Sequence, residues 1–576
     1  VGLLVQSEMG MLGPWNRGGL MWHGAKWPLP MPDKREMLKD QWDRVVVRDV
    51  NHPSANLYCM SNELGSDTKF PRTAWRCYHD TKAIKPSALV IWTDGGYNED
   101  LPADFINDDA KDYPFPDKQW RDVDHSQADK PLIQHEFRWF ASYPDVRDMS
   151  KYTGAVRPYG AELALRVAEQ RGLAHLLSQI AVNTQRLQYA EAKAKMEALR
   201  RDCTELAGIC HWLATDASAS PQGVLDAFYE RKYADRDMWL QTNGDTVVLA
   251  SLNYDDRVLV GGEELICTFS VSDFSHPPLQ APTLTWRLVA EGTELGAGRM
   301  TYSHQPYRTC RIGDIRCDLP AVSRPKKLHL EAELTEGERR FTNVWDLWLF
   351  PDQVDHPEGL AVYGRPEHSW MAELERRLGS LGLTDFDGRE APQVVLTERL
   401  DQALISYARE GGTVVLAATE GLVRPFRHLR YDDAECYFWH APGGMRPFEF
   451  NHCGTIIRDH PMLGGMPHEG FADLQFLRMI GPAPAIDLEA FGLTDGEPVI
   501  RVMHTFSVCR PLAYLIECSL GEGTLIVSAL NLDQSLPEAR YLLAQICGHA
   551  VTDLSEPMLD LSDEAIAHLS RATMAL

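Results

Sequence analysis

Two acidic residues stand out because each closes a short apolar run. In the first, the polar turn Asn51-His52-Pro53-Ser54 feeds Ala55-Asn56-Leu57-Tyr58-Cys59-Met60-Ser61, which ends in Asn62-Glu63. In the second, Pro131-Leu132-Ile133-Gln134-His135 ends in Glu136. A carboxyl group at a strand end has its position fixed by the sheet. An amide beside it both donates and accepts, which suits a sugar hydroxyl. Cleaving a glycosidic bond needs two carboxyl groups, one protonated and one ionised. Close carboxylates push their pKa values apart, so both forms coexist near neutral pH. Taken alone, a strand-end Glu serves more often in a structural ion pair. The weight therefore rests on the pairing and on the string around Glu63.

The elements around these residues read as alternating strands and helices. Apolar runs fall at 2–5, 55–60, 88–92, 103–106, 131–133 and 208–213. Between the last two, residues 161–206 are rich in Ala, Leu, Glu, Arg and Gln and predict two helices, or one broken near Gly172. Strands separated by helices imply parallel βα units. Glu8, Asn62-Glu63, Asp94 and Glu136 sit where strands end, on the rim where a βα barrel places its chemistry. Residues 241–352 change to short strand-like runs at 246–251, 264–272, 283–290, 328–334 and 343–349, separated by turn residues, the pattern of a β-sandwich. Residues 353–553 return to α/β: strands at 394–396 and 413–417 flank a helix at 400–410 closed by Gly411-Gly412, and a strand at 524–529 precedes a helix at 537–549. This predicts a doubly wound, flavodoxin-like sheet. Residues 554–576 read as a short amphipathic helix and tail. The expected fold is multidomain: an incomplete α/β (TIM) barrel over 1–240, an immunoglobulin-like β-sandwich, and a flavodoxin-like α/β domain.

Bulk properties narrow the partners. The 576 residues carry 57 basic and 82 acidic side chains, a net charge of −25. That excess argues against nucleic acid and against anionic membrane surfaces, which both need a basic face. No run approaches the length of a membrane-spanning helix. None of the 12 cysteines forms a CxxC pair, so a zinc ribbon is not expected, and most read as buried free thiols. The spacing of Cys310 and Cys317 allows a bridge between two neighbouring strands. The opening Val1-Gly2-Leu3-Leu4-Val5 reads as the inside of a buried strand rather than a leader, so the chain is expected to begin within a domain and any targeting signal lies out of view.

Arg48-Asp49-Val50-Asn51-His52-Pro53-Ser54, followed by a strand and Asn62-Glu63, resembles glycoside hydrolase family 2, which includes β-galactosidases, β-glucuronidases and β-mannosidases. Glu136 after Lys130-Pro131-Leu132-Ile133 is similar to the second catalytic Glu of that family, at the end of strand seven. Ile209-Cys210-His211-Trp212 ahead of Gln222-Gly223-Val224-Leu225-Asp226 resembles its strand eight, and the segment from Gly2 to Met9 its strand three. The resemblance covers about residues 1–235 and implies barrel strands three to eight, with strands one and two outside this sequence, as in a gene fragment. It implies Glu63 as general acid/base, Glu136 as nucleophile, Asn62 on the sugar 2-hydroxyl and Trp212 as an apolar platform under the ring. Tyr113 is the candidate for the tyrosine that hydrogen-bonds the nucleophile. Glu8 and His23 are further substrate-contact candidates; a turn, packing or ion-pair role competes for Asn62, Trp212, Glu8 and His23 alike. Asn51 and His52 precede their strand and read as structural, and His135 reads as pointing to the core by strand alternation.

The implied partner is a glycoside, oligosaccharide or polysaccharide. β-Galactosidase-like specificity is the first expectation, because the Arg-Asp-x-Asn-His-Pro-Ser string is strongest there. Exo-glucosaminidase is disfavoured by a Glu nucleophile, β-glucuronidase by the lack of an Asn-x-Lys pair, and β-mannosidase stays open. No cofactor is expected to be required; some relatives use Mg²⁺ or Na⁺, for which no ligand set maps onto this chain. Glu410-Gly411-Gly412-Thr413-Val414-Val415-Leu416 and Asp459-His460-Pro461-Met462-Leu463 make the C-terminal region similar to class I glutamine-amidotransferase-like domains. Cys436, Cys453, Cys509 and Cys518 lack the flanking glycines of that nucleophile's turn, so this domain is expected to serve packing or homo-oligomer contacts rather than catalysis. The competing reading is a non-catalytic carbohydrate-binding or assembly protein with a degenerate barrel.

Overall fold

The computed structural model describes residues 4–8, 31–61, 71–93, 100–108, 130–137, 141–203, 206–211, 214–216, 221–253, 256–363, 371–372, 394–417, 454–480, 483, 485–489, 492–494, 496–552, 557 and 560–567. Two compact units are present. One holds residues 1–138 and 198–214, the other 139–197 and 215–576.

The first unit is built from parallel βα segments. Its strands are β1 (Val5–Glu8), β2 (Ala55–Cys59), β3 (Leu89–Ile91), β4 (Ile106–Asp108), β5 (Leu132–Phe137) and β6 (Leu206–His211), with helices α1 (Met31–Asp49) and α2 (Pro71–Ile84). They form two three-stranded sheets, β1-β2-β3 and β4-β5-β6, in which every pairing is parallel. Alternation along β2 explains why the first sheet holds. Tyr58 and Met60 pack with Trp42 and Val46 of α1 and Ala74 and Cys77 of α2. Leu57 and Cys59 face the other way and join Ile91, Phe105 and Ile133 in a second cluster, which links the two sheets. A strand buried on both faces is what a wall between helices and an inner core requires. Between β3 and β4 the link is a single antiparallel bridge, Ile91 to Ala103. Among the described residues no closed ring of strands forms; where a barrel is expected, they show two separate three-stranded parallel sheets.

The second unit opens with α3 (Tyr159–Gln170) and α4 (Leu177–Asp202), the latter passing into the first unit's share of the chain. Gly172 adopts φ 72°, and the Leu173 N–H returns to the Ala168 carbonyl at 2.8 Å. This left-handed step ends α3, as the Gly172 break predicts.

Next, after α5 (Arg236–Asn243), come β7 (Thr246–Ala250), β8 (Val258–Val260), β9 (Glu264–Asp273), β10 (Thr283–Ala290), β11 (Thr293–Thr301), β12 (Arg308–Asp318), β13 (Lys326–Glu336) and β14 (Arg339–Phe350). They form sheets β11-β10-β13-β14-β8 and β12-β9-β7 around one core that includes Phe269, Leu284, Leu330, Trp345 and Leu347. Burial alternates strictly along the middle of β13, the period-2 signature of a sandwich strand. Cys310 and Cys317 both lie on β12, opposite Val271 and Leu265 of β9, and both are free thiols. The bridge allowed by their spacing is therefore corrected: the two residues belong to one strand, not to neighbours.

The last region carries β15 (Leu360–Tyr363), β16 (Val394–Thr397), α6 (Gln402–Arg409), β17 (Thr413–Ala417), β18 (Gly454–Ile457), β19 (Ile486–Asp487), β20 (Ile500–Met503), β21 (Pro511–Leu520), β22 (Gly523–Ser528) and α7 (Pro537–Ala550). Asp401 caps α6 by accepting from the Ala403 and Leu404 N–H groups at 2.9 and 3.0 Å. The sheet order is β15-β16-β17-β22-β21-β20-β18. Pairing is parallel from β15 to β22 and antiparallel from β22 to β18, with β19 on β21. Only half of it matches a doubly wound sheet. The tight turn at Gly521, with φ 68°, sends β21 directly back into β22, leaving no room for a crossover helix. No helix among the described residues is long and apolar enough to cross a membrane.

Candidate functional site

The strands that carry the two expected acids hold equivalent places. β2 is the centre of one parallel sheet and β5 the centre of the other. Beyond β2 the chain is tied to the end of β3: the Met60 N–H donates to the Ile91 carbonyl at 3.1 Å, and the Ser61 hydroxyl to the Trp92 carbonyl at 2.5 Å. Asn62 and Glu63 follow at once but lie outside the described residues, as do His23, Asp94, Tyr113 and Trp212. Glu136 is the fifth residue of β5, and only its backbone is described. Between Gln134 and Phe137 the pairing of β5 with β6 shifts register. A bulge interrupts simple alternation, so the rule used to turn His135 toward the core does not extend across it. Glu8 closes β1 and is exposed.

The string ahead of β2 takes part in local structure through the backbone of His52 and the side chains of Arg48 and Asp49. The Lys85 ammonium, itself buried, donates to the carbonyls of Asp49, His52 and Ala55 at 3.3, 3.2 and 2.7 Å. Asp49 accepts from Arg48 Nε at 2.6 Å and from the Ser7 hydroxyl at 2.7 Å. The Arg48 guanidinium holds the Asp49 carboxyl below its ordinary value, with Ser7 adding to it against the opposing effect of burial. This knot ties α1, β1 and the start of β2 together at the amino end of β2.

In the C-terminal region, the Cys509 thiol is buried, sits at φ 46° and lies 3.1 Å from the Tyr143 hydroxyl. Burial pushes its pKa up to about 11, which keeps the thiol protonated and unreactive near neutral pH. Its place is the connection from β20 to β21, not a strand-to-helix turn.

One cluster was not anticipated. His460, Glu517 and His549 bring ligand-type atoms within 4.8 Å of one another. His549 Nε2 lies 3.0 Å from one Glu517 oxygen and His460 Nε2 lies 3.6 Å from the other. Glu517 is on β21 and His549 on α7, both buried, and His460 caps the short 3-10 turn Pro461–Leu463. Tyr541, two turns earlier on α7, donates to the Gly464 carbonyl at 2.6 Å and fixes that turn against the helix. Burial lowers the His460 pKa, opposed by Glu517 and aided by His549 and Arg458, so this imidazole is neutral near pH 7. On its outer side His460 lines an open cavity of about 380 Å³ with Asp459, Pro461, Leu463, Gly465, Met466 and His468. The three residues are 57 and 32 positions apart in sequence, too far for spacing to associate them.

Residues 263–351, from β9 to β14, match the family described as "Domain of unknown function (DUF8488)". Residues 395–571, from β16 onward, match "Domain of unknown function (DUF8487)". Among curated proteins none matches the chain. Among solved structures, the chain is similar to a complex of the Amycolatopsis orientalis exo-chitosanase CsxA with PNP-beta-D-glucosamine, at 17% identity and a TM-score of 0.38, over 61% of this chain and 43% of that one. It is also similar to a Bacteroides uniformis beta-glucuronidase at 10% identity and TM-score 0.24, covering 57% and 38%. The same organism's beta-glucuronidase 3 matches at 14% and 0.28, covering 62% and 43%. The chain thus spans about two fifths of the length of these structures. At this level the likeness assigns neither activity nor substrate to the chain.

Proposed function

We propose that residues 1–240 supply the catalytic acids of a retaining exo-β-glycosidase of the family 2 type. The observation that supports the reading is the equivalent place of β2 and β5, each the central strand of its sheet. Glu63 follows the carboxyl end of β2, and Glu136 sits near the carboxyl end of β5. Each strand is the centre of an all-parallel sheet, and the sheets share one inner apolar cluster. The carboxyl ends of parallel strands are where such folds place chemistry.

In this reading Glu63 protonates the glycosidic oxygen while Glu136 attacks the anomeric carbon. The leaving group departs, and a glycosyl-enzyme ester forms with inversion. Glu63, now ionised, takes a proton from water, whose oxygen displaces Glu136 with a second inversion. The two carboxyl groups then lie about 5–5.5 Å apart. Asn62 binds the 2-hydroxyl and Trp212 underlies the ring, with Tyr113, Glu8 and His23 as further contacts. The sandwich and the C-terminal α/β region are accessory.

The test uses the natural gene product and p-nitrophenyl β-galactoside, β-mannoside, β-glucuronide and β-glucosaminide. Galactoside turnover is expected to be fastest. Glu63→Ala should cost about 10²–10⁴-fold on poorly activated glycosides, with azide restoring turnover to the β-glycosyl azide. Glu136→Ala should abolish hydrolysis, with azide giving the α-glycosyl azide. Hydrolysis undiminished in either variant refutes the assignment, and sugar binding without turnover establishes a carbohydrate-binding protein instead.

A further inference from the structure

We propose that His460, Glu517 and His549 form a binding site for one Zn²⁺ ion, with a fourth position open to the neighbouring cavity. The inference stands apart from the glycosidase reading, because all three residues lie in the region of β18 to α7.

The donor set comes first. Two imidazoles and one carboxylate suit a borderline divalent ion such as Zn²⁺. They do not suit Mg²⁺ or Na⁺, which prefer oxygen ligands throughout. Geometry comes second. Metal–ligand bonds of about 2.0–2.2 Å around a tetrahedral centre separate neighbouring donors by about 3.3–3.5 Å. Here His549 Nε2 lies 3.0 Å from one Glu517 oxygen and His460 Nε2 lies 3.6 Å from the other, and one ligand atom from each of the three residues falls within 4.8 Å of the others. The ring centroids of His460 and His549 are 5.3 Å apart at 65° to each other, so the rings meet edge to face and both Nε2 atoms converge on Glu517.

Rigidity is the third argument. Glu517 is held in the interior of β21, where its pairing with Ile526 on β22 fixes the backbone. His549 is held on α7, and His460 by the turn that Tyr541 anchors. Three separate elements present ligands that would otherwise need ordering at entropic cost. The fourth argument is access. His460 forms part of the wall of the 380 Å³ cavity, so one edge of the cluster adjoins open space from which an ion and a water ligand would enter. Three protein ligands plus one open position is the pattern of a zinc site that can exchange a ligand.

Binding has a definite local cost. An imidazole that binds the metal through Nε2 carries its remaining proton on Nδ1. His460 then gives up the bond its Nδ1 accepts from the Met462 N–H, a long one at 3.3 Å. His549 Nδ1, buried with no hydrogen-bond partner, becomes a donor.

The experiment uses the whole chain, stripped with chelator and titrated with ZnCl2 by calorimetry, with Co²⁺ absorption as a second readout. One ion per chain is expected, with visible d–d bands from low-coordinate Co²⁺ and a raised melting temperature. Glu517→Gln and His460→Asn should each weaken binding by about 100-fold or more, with far-ultraviolet circular dichroism confirming that the variants fold. If Glu517→Gln fails to fold, His460→Asn at the cavity edge decides the matter alone. Absence of stoichiometric binding overturns the proposal. So does binding that survives in the folded variants, or that His468→Ala alone removes, which would place the ion at the Asp459–His468 mouth of the cavity.

Discussion

Asp273 illustrates how neighbours set the behaviour of one carboxyl. Burial opposes its ionisation, yet it accepts from the Ser275 hydroxyl at 2.6 Å, the Thr246 hydroxyl at 2.8 Å and the Ser275 and Leu279 N–H groups, each at 3.1 Å. His304 Nε2 stands 2.9 Å away. The bonds prevail and the pKa falls to about 2. A folded value below the unfolded one, about 3.9, adds stability that is complete above about pH 4. That stability is lost as pH falls through 2. Asp273→Asn is therefore expected to cost about 2–3 kcal/mol at pH 7, at roughly 1.4 kcal/mol per unit. The gap to the parent should close between about pH 4 and pH 2. Urea unfolding across that range checks it, and a gap independent of pH would show that the carboxylate charge is not the source. At this scale the sequence was readable where residues are neighbours. Glu63 and Glu136 stand out because each closes an apolar run, and the motif from Arg48 to Ser54 because its parts are contiguous. His460 appeared within a quoted string, but nothing near it in sequence pointed to Glu517 or His549.

Among elements, close backbone approach decides what each glycine must be. A Cβ on Gly523 would stand 2.2 Å from the carbonyl oxygens of Ala408 and Gly412, with no flexible side chain to yield. A Cβ on Gly411 meets nothing within 4 Å and is opposed only by its φ of 103°. Gly523→Ala should therefore push β22 off α6 and lower stability by about 3 kcal/mol or more, as overpacking against fixed backbone does. Gly411→Ala should cost about 1 kcal/mol, for the strained backbone alone. Denaturant midpoints rank the two, and equal losses would contradict this account. The same physics explains a strand that composition hid. β11 carries Gly296 and Gly298, and the Trp286 ring of β10 lies over both. Their lack of side chains makes room for that indole, a requirement visible only once β10 and β11 are paired. β12 was hidden similarly, by charged residues and a register shift between Arg311 and Gly313.

At the scale of the molecule, α4 acts as a spine within the second unit. Asn183 donates to the carbonyls of Thr455 and Gly470 at 2.9 and 3.0 Å, which ties the helix to the region around β18. Three turns on, Lys193 donates to Glu197 and to Asn343 of β14. The Trp345 indole N–H reaches Glu197 at 2.7 Å, and the Asn343 amide reaches it at 2.8 Å. Glu197 is 1% exposed, so removing its cation leaves a buried charge without compensation. Lys193→Met is expected to cost about 3–5 kcal/mol. Lys193→Met with Glu197→Gln should recover part of that, because no buried charge remains, although the single amide oxygen accepts from Trp345 or from Asn343 and not from both. Equilibrium unfolding of both variants measures this, and a double variant no more stable than the single one would refute it.

The sequence by itself determined what depends on near neighbours: the strands β2, β5 and β13, the break after α3 at Gly172 and the helix α6. These follow from backbone geometry and side-chain periodicity, which act over a few residues. Only the tertiary structure decided the antiparallel half of the C-terminal sheet, the two separate sheets of the N-terminal unit and the meeting of His460, Glu517 and His549. Those depend on which distant segments pack together, a choice made by the summed burial of whole faces and not written at any one position.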